Sequence, residues 1–273
     1  MSTIDRGKAK AQGEQAVRII HAGGYTAPDG REVSVADALA ESVQGTLSYP
    51  PDAPLPAFTA PGHVTRFEVT NETTLNAARR LVLDGFHPVA LNFASAKHPG
   101  GGFLGGARAQ EESLCRSSGL YACIVHDAMY RAHAGTRGGF YTNYAIYSPG
   151  VPVFRDDDGD LLGEPYRCSF VTSPAVNAGT YLGDGGGKQP EVTREMRERV
   201  RKVLHVMAGH GHDAAVLGAW GCGVFRNDPE VIADLFRDAL VTRFAGVFKR
   251  VVFAILDWSN ERRFIGPFEE RFS

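Results

Sequence analysis

Five of the seven residues from Gly100 to Gly106 are glycine, and the run lies between an apolar stretch, Val89–Ala94, and the triplet Gln110-Glu111-Glu112. Glycine reaches positive φ without strain and lets backbone approach a ligand with no Cβ in the way, so this is a loop shaped around something bulky. VALNFA is short, continuous and apolar, which fits a buried strand. Past the glycines, Leu114, Cys115, Ile124, Val125 and Met129 fall near one face and predict a helix from about Glu112 to His133. Strand, glycine loop and helix start follow in series, with two carboxylates at the lip of the loop. Acidic residues favour a helix start through its dipole, so the bland alternative is a solvated pair on a surface loop.

The alternation extends over the chain from about residue 61. Val64–Val69 reads as a strand, and Thr70 to Thr73 offer caps for a helix through Leu75, Ala78, Val82 and Leu83. Strands follow at Tyr144–Tyr147 and Ser169–Thr172, an amphipathic helix over Glu191–Met207, and a strand over Ala214–Ala219. Asp228 and Pro229 open a helix through Ile232, Leu235, Phe236 and Leu240, and Arg250–Leu256 closes the pattern as a strand. Alternating strands and helices of this kind make a layered α/β domain. Upstream, residues 5–20 read as a helix, Pro28-Asp29-Gly30 as a hairpin turn, and Val35 to Val43 as a second helix. Tyr49 to Pro61 carries five prolines and marks a boundary. The expected division is an accessory segment over 1–60 and a main domain over 61–273.

A triple glycine, a short spacer and Gln-Glu-Glu, preceded by Leu91-Asn92-Phe93-Ala94-Ser95 and Pro99, resembles the signature of the poly(ADP-ribose) glycohydrolases, and of their microbial branch in particular. The resemblance implies a macrodomain-like three-layer α/β/α fold, with a mixed central sheet and ADP-ribose lying across the carboxyl ends of its central strands. It implies hydrolysis of the ribose–ribose O-glycosidic bonds of poly(ADP-ribose), with ADP-ribose released and no metal or cofactor needed. Glu112 matches the residue that acts as general acid and then activates water, and Glu111 the one that holds the sugar hydroxyls. Gln110 is expected to fix the pair, Gly100, Gly101 and Gly102 to form the cradle, and Asn92 and Ser95 to face the terminal ribose. The animal enzymes resemble Asp-Phe-Ala-Asn at those last positions, so individual hydroxyl contacts do not carry over.

A second strand-to-loop unit, AVLGA into WGCGVFRN, has its own logic. Glycine turns ahead of a helix expose amides that suit a diphosphate, which selects Gly221, Cys222, Gly223 and Val224. The family resemblance implies that Phe225 packs over the ribose beside the scissile bond. Phe264, in RRFIGPF, is a candidate for stacking on adenine, with plain packing as the alternative.

Several other readings fall away. A formal net charge of −2 gives no electrostatic footprint for duplex nucleic acid. Cys115, Cys123, Cys168 and Cys222 lack CxxC spacing, which disfavours a zinc knuckle and a disulfide framework and points to reduced thiols in a cytoplasm. No stretch has the length of a membrane span. Asp156, Asp157, Asp158 and Asp160 around Gly159 lack the alternating ligands and final Glu of a calcium loop, and read as a solvated hairpin tip. Gly183 to Lys188 resembles a phosphate loop, but Gln189 stands where Ser or Thr is required, so it reads as a linker. Gly100, Gly102 and Gly105 satisfy G-x-G-x-x-G without the strand-end glycine or the later acid of a dinucleotide fold. His98, His126, His133 and His205 show no metal spacing. Two alternatives to polymer hydrolysis stay open: a reader that binds terminal ADP-ribose, and a hydrolase of mono-ADP-ribosylated protein. The intact Gln110-Glu111-Glu112 run favours hydrolysis, since a reader needs no acid there.

Overall fold

A computed structural model describes residues 4–183 and 186–272. The chain opens with α1 (Arg6–Ala22), capped by the Asp5 carboxylate and ended by Gly23 at φ 68°, then the hairpin β1 (Gly24–Thr26) and β2 (Glu32–Ser34). Next come α2 (Ala36–Gln44), β3 (Leu47–Tyr49), β4 (Arg66–Thr70), α3 (Thr74–Leu83) and β5 (Pro88–Phe93). The glycine loop leads into α4 (Gln110–Ser117), α5 (Leu120–Ile124) and α6 (Ala128–Ala134), followed by β6 (Ala145–Arg155) and β7 (Leu161–Ser173). The remainder is α7 (Ala178–Gly183), α8 (Gln189–Gly209), β8 (Ala214–Leu217), α9 (Pro229–Val241), β9 (Arg250–Ala254) and α10 (Gly266–Phe272). Of the linker that resembles a phosphate loop, Asp184 and Gly185 lie outside the described residues.

Seven strands form one mixed sheet in the order β3-β6-β7-β5-β8-β9-β4. The run β7-β5-β8-β9-β4 is parallel, while β3 and β6 join antiparallel. Successive side chains of a strand face opposite sides, and β5 shows this directly. Val89 and Leu91 enter one core with Val200 and Leu204 of α8 and Phe236 of α9, whereas Ala90 enters a second with Leu75 and Leu81 of α3 and Leu120 of α5. Both faces are thus covered by helices, giving the three-layer α/β/α arrangement expected of a macrodomain-like fold. Strand β8 is buried throughout and β5 is buried from Pro88 to Asn92, as parallel strands sandwiched between helices should be.

The single helix expected over Glu112–His133 is three short ones. Ser118 breaks it: its Oγ donates to Leu114 O at 2.8 Å and accepts from Leu120 N at 3.2 Å, closing α4 and starting α5. Gly119 follows where a Cβ would lie 2.7 Å from Leu39 Cδ1, and Asp127 caps α6 by accepting from Met129 N at 2.8 Å. The acidic stretch is the tip of the long β6–β7 hairpin, with Asp156 Oδ1 accepting from the amides of Asp158, Gly159 and Asp160.

The first sixty residues pack on the same body. Ala16, Ile19, Tyr25, Ala27 and Val35 enclose Phe154 of β6 in a small third core, and Tyr25 Oη donates to Leu162 O at 2.6 Å. Strand β3 pairs with β6 at the sheet edge. Helix α1 lies against the glycine loop so closely that a Cβ on Gly13 would meet Phe103 O at 2.8 Å, while Arg6 Nε donates to Gly105 O at 3.0 Å.

Candidate active site

The site is assembled at the carboxyl end of β5. Gln110, first residue of α4, joins that helix to the strand: its Oε1 accepts from Phe93 N at 2.9 Å, and its Nε2 donates to Leu91 O at 2.7 Å and to Thr74 Oγ1 at 3.1 Å. No side chain caps α4, so Glu111 and Glu112 occupy a first turn whose exposed amides are open to negative charge.

Consecutive helical residues diverge by about 100°, yet the two carboxylates both reach Gly101, one bonded to the Ser95 amide after β5 and the other to the Gly102 amide of the glycine loop. Glu111 is 3% exposed; its Oε2 accepts from Ser95 N at 2.7 Å and its Oε1 from Asn92 Nδ2 at 3.4 Å. Glu112 is 8% exposed, and its Oε1 accepts from Gly102 N at 2.9 Å. Gly101, at φ 60°, lies between them: a Cβ there would stand 3.1 Å from Glu111 Oε2 and collide with Glu112 Oε1. Gly100, at φ 71°, is equally confined, with Phe103 and Cys115 Sγ filling the space of a side chain. Burial pushes the Glu111 carboxyl up to about 8, with a further push from the Glu112 charge, against the opposing hydrogen bonds from Ser95 and Asn92. The same burial, with both glutamates nearby, holds the Cys115 thiol in its neutral form.

Asn92 is fully buried, and its Nδ2 also donates to Thr172 Oγ1 of β7 at 3.2 Å. Ser95 is half-buried, with Oγ accepting from His98 N at 3.1 Å to hold the entry of the glycine loop. The second turn stands beyond the end of β8. There Gly221, at φ 75°, is packed against Ala175 and Asn227, Cys222 is buried, Gly223 opens to solvent, and Val224 is 82% exposed. Phe225 is half-buried, its ring centroid 6.4 Å from that of Tyr141.

The chain and its fold have close counterparts among known proteins. Residues 13–156 match the family model described as microbial-type PARG, catalytic domain, PARG being poly(ADP-ribose) glycohydrolase. A poly(ADP-ribose) glycohydrolase from Thermomonospora curvata superposes with TM-score 0.91 at 47% identity, over 97% of this chain and 100% of that one. The same enzyme bound to the inhibitor ADP-HPD gives 0.89 at 46% identity, over 97% and 100%. The Deinococcus radiodurans enzyme in complex with ADP-ribose gives 0.79 at 43% identity, over 86% and 97%. No curated protein matches. The chain belongs to the microbial-type poly(ADP-ribose) glycohydrolase family.

In this glycohydrolase a cleft of about 530 Å3 is lined by Gln110 together with Phe93, Gly223, Trp258 and Phe264. Its volume suits a nucleoside-sized ligand. Gln110 lines it, whereas Glu111 and Glu112 do not. Phe264 is half-buried at the cleft, with the Arg263 guanidinium 5.3 Å from its ring centroid. The cleft's lining includes the apolar Ala254, which ends β9, with Ile255 and Leu256 after it, and the polar Thr73, Arg108 and Asp157.

Three residues placed here give little sign of it in the sequence. Thr172 supports Asn92 only because β5 and β7 are neighbours in register, a pairing that no local pattern specifies. Trp258, 65% exposed at the cleft, sits in a tail that reads simply as aromatic and charged. Tyr141 adopts φ 53° beside Phe225, in a segment flanked by Gly138 and Gly139, whose glycines were the available signal.

Proposed function

We propose that this poly(ADP-ribose) glycohydrolase cleaves the ribose–ribose bond by acid and then base catalysis at Glu112, with Glu111 holding the sugar. The observation that carries the reading is the convergence of two buried carboxylates on Gly101, each fixed by a backbone amide. Hydrolysis of such a bond needs an acid to protonate the leaving oxygen and negative charge to stabilise an oxocarbenium-like transition state. The Glu112 proton passes to the bridging oxygen as the C–O bond breaks. The resulting carboxylate then takes a proton from the water that attacks the anomeric carbon, and ADP-ribose leaves. With its carboxyl raised to about 8, Glu111 carries a proton near neutrality and can donate to a ribose hydroxyl. A neutral Glu111 also adds no negative charge to the site facing an incoming diphosphate.

The diphosphate lies along the amides of the Gly221–Val224 turn, and Phe225 covers the ribose next to the scissile bond. Phe264 faces the adenine across the cleft. Asn92, fully buried, orients Glu111 rather than touching the sugar, while Ser95 and Gly100 to Gly102 shape the floor. Residues 1–60 brace the glycine loop through α1. The free, buried cysteines suit a reducing compartment such as the cytoplasm, and no helix among the described residues is long and apolar enough to cross a membrane.

Incubating the protein with labelled poly(ADP-ribose) and, separately, with mono-ADP-ribosylated protein tests the reading. Release of ADP-ribose from polymer is expected. Release only from mono-modified protein would reassign the substrate, and binding without release would make the chain a reader.

A further inference from the structure

Arg116 stands one helical turn after Glu112 on α4 and is 5% exposed. It forms no ion pair among the described residues. Its Nη1 donates to Ala107 O at 2.9 Å, at the far end of the glycine loop. Ala107 N in turn donates to Gly102 O at 3.1 Å, and Gly102 N donates to Glu112 Oε1 at 2.9 Å. Two residues of one helix thus hold the two ends of the stretch from Gly102 to Ala107, Glu112 at its first amide and Arg116 at its last carbonyl. The ring returns to the helix it started from.

The backbone of Arg116 is tied down as well. Arg155 of β6, itself 3% exposed, donates through Nε to Arg116 O at 3.1 Å, through Nη1 to Gly159 O at 2.9 Å and through Nη2 to Gln15 Oε1 at 2.8 Å. The ionisable groups that act on the Arg116 guanidinium are Glu112, Cys115, Arg108 and Arg155. Two of them are cations, and burial keeps the Cys115 thiol neutral, so Glu112 is the acid in the group. Burial lowers the pKa of Arg116, and the Glu112 charge opposes that. Taking a guanidinium out of water is costly, and a neutral side chain could give Ala107 O its bond. The buried charge instead has its counterpart in the carboxylate four residues earlier, a spacing at which side chains on a helix are neighbours.

We propose that Arg116 is a positioning residue for the acid: through Ala107 and Gly102 it fixes where the Glu112 carboxyl stands, and its charge balances the carboxylate that remains once the proton has passed to the bridging oxygen. The inference rests on the reading of Glu112 as the acid. Arg116 also borders the 530 Å3 cleft, but so little of it is exposed that its bond to Ala107 O, and not a contact with ligand, is what it offers the site.

The test compares Arg116→Gln, which keeps an N–H donor and loses the charge, with Arg116→Lys, which keeps both, in the release of ADP-ribose from labelled polymer. In folded Arg116→Gln, kcat is expected to fall about tenfold while ADP-ribose affinity, from titration calorimetry, stays within about threefold of wild type. The pH above which turnover falls should move up by about one unit, because the carboxyls of the pair lose their protons less readily once a nearby cation is gone. Arg116→Lys keeps the wild-type pH profile and brings kcat back to within about threefold. A merely structural arginine would lower Tm without moving the profile. An unmoved profile in folded Arg116→Gln overturns the proposal, as does a loss of ADP-ribose affinity as large as the loss of kcat, which would make Arg116 a ligand contact. Should Arg116→Gln not fold, Arg116→Lys decides: a wild-type profile with kcat nearly kept supports the role, and a displaced profile in this charged variant overturns it. Glu112→Gln separates the two readings. If it retains turnover, the catalytic reading fails and this role with it; if it is inactive while Arg116→Gln behaves as wild type, only the positioning role fails.

Discussion

Gly101 and Glu112 compete for the same space: a β-carbon on the glycine would fall on Oε1 of the acid. The glycine also holds φ 60°, a conformation other residues rarely adopt. Gly101→Ala is therefore expected to push the Glu112 carboxylate off the Gly102 amide and lower kcat by about a hundredfold or more, since small displacements of a catalytic group carry penalties of that size. Circular dichroism should show the fold retained. Near-normal kcat in folded Gly101→Ala protein would mean that the position of this carboxylate is not what limits the reaction.

That relationship marks where the sequence was readable. The strand Val89–Ala94, the glycine loop and the paired glutamates are contiguous, so local rules sufficed to place them together. Asp228 and Pro229 likewise start α9, as a capping Asp followed by Pro should. What stayed hidden depends on distant segments meeting. The Asn92–Thr172 contact requires the order of β5 and β7, and the cleft requires Gln110, Gly223 and Phe264 to converge from three parts of the chain. The break at Ser118 escaped periodicity because the apolar face continues across it; only the hydroxyl's bonds to Leu114 and Leu120 end the helix.

Glu112→Gln removes the transferable proton while keeping the shape of the side chain and an oxygen able to accept from Gly102 N. Turnover of labelled polymer should fall by about a thousandfold or more, given that general acid–base groups contribute on that order. Titration calorimetry should find ADP-ribose affinity within about threefold of wild type, because the lost group acts on the bond and not on the ligand's resting contacts. Retained turnover would remove Glu112 from the acid's role.

The buried Glu111 carboxyl links stability to pH. Its value rises from 4.5 to about 8 on folding, so between these limits the folded chain binds a proton that the unfolded chain has released. Stability from this group is therefore greatest at low pH, declines as pH climbs through the window, and levels off above it. Glu111→Gln abolishes the titration. The Tm of wild type measured against that of Glu111→Gln should fall steadily from about pH 5 to about pH 8. Wild-type turnover should drop above about pH 8, as the Glu111 carboxyl loses the proton it donates to a ribose hydroxyl. A constant Tm difference across the range would show that Glu111 does not titrate there.

Gln110 performs two opposite functions at once, which allows them to be separated. Its carbonyl accepts from Phe93 N, and its amide donates to Leu91 O and Thr74 Oγ1. Gln110→Ala leaves a strand-end N–H and C=O without partners and should lower stability by about 2 kcal/mol, read as a shift in the urea midpoint. Because the same bonds fix the start of α4, kcat should fall about tenfold as the Glu pair loses its reference to the sheet. Gln110→Glu can still accept from Phe93 N but has nothing to offer Leu91 O, and places a third carboxylate beside two others. It should be the worse of the two for turnover even if it is the more stable. The reverse ranking, with Gln110→Glu the more active, would show that the donor half of the amide plays no part in holding the site.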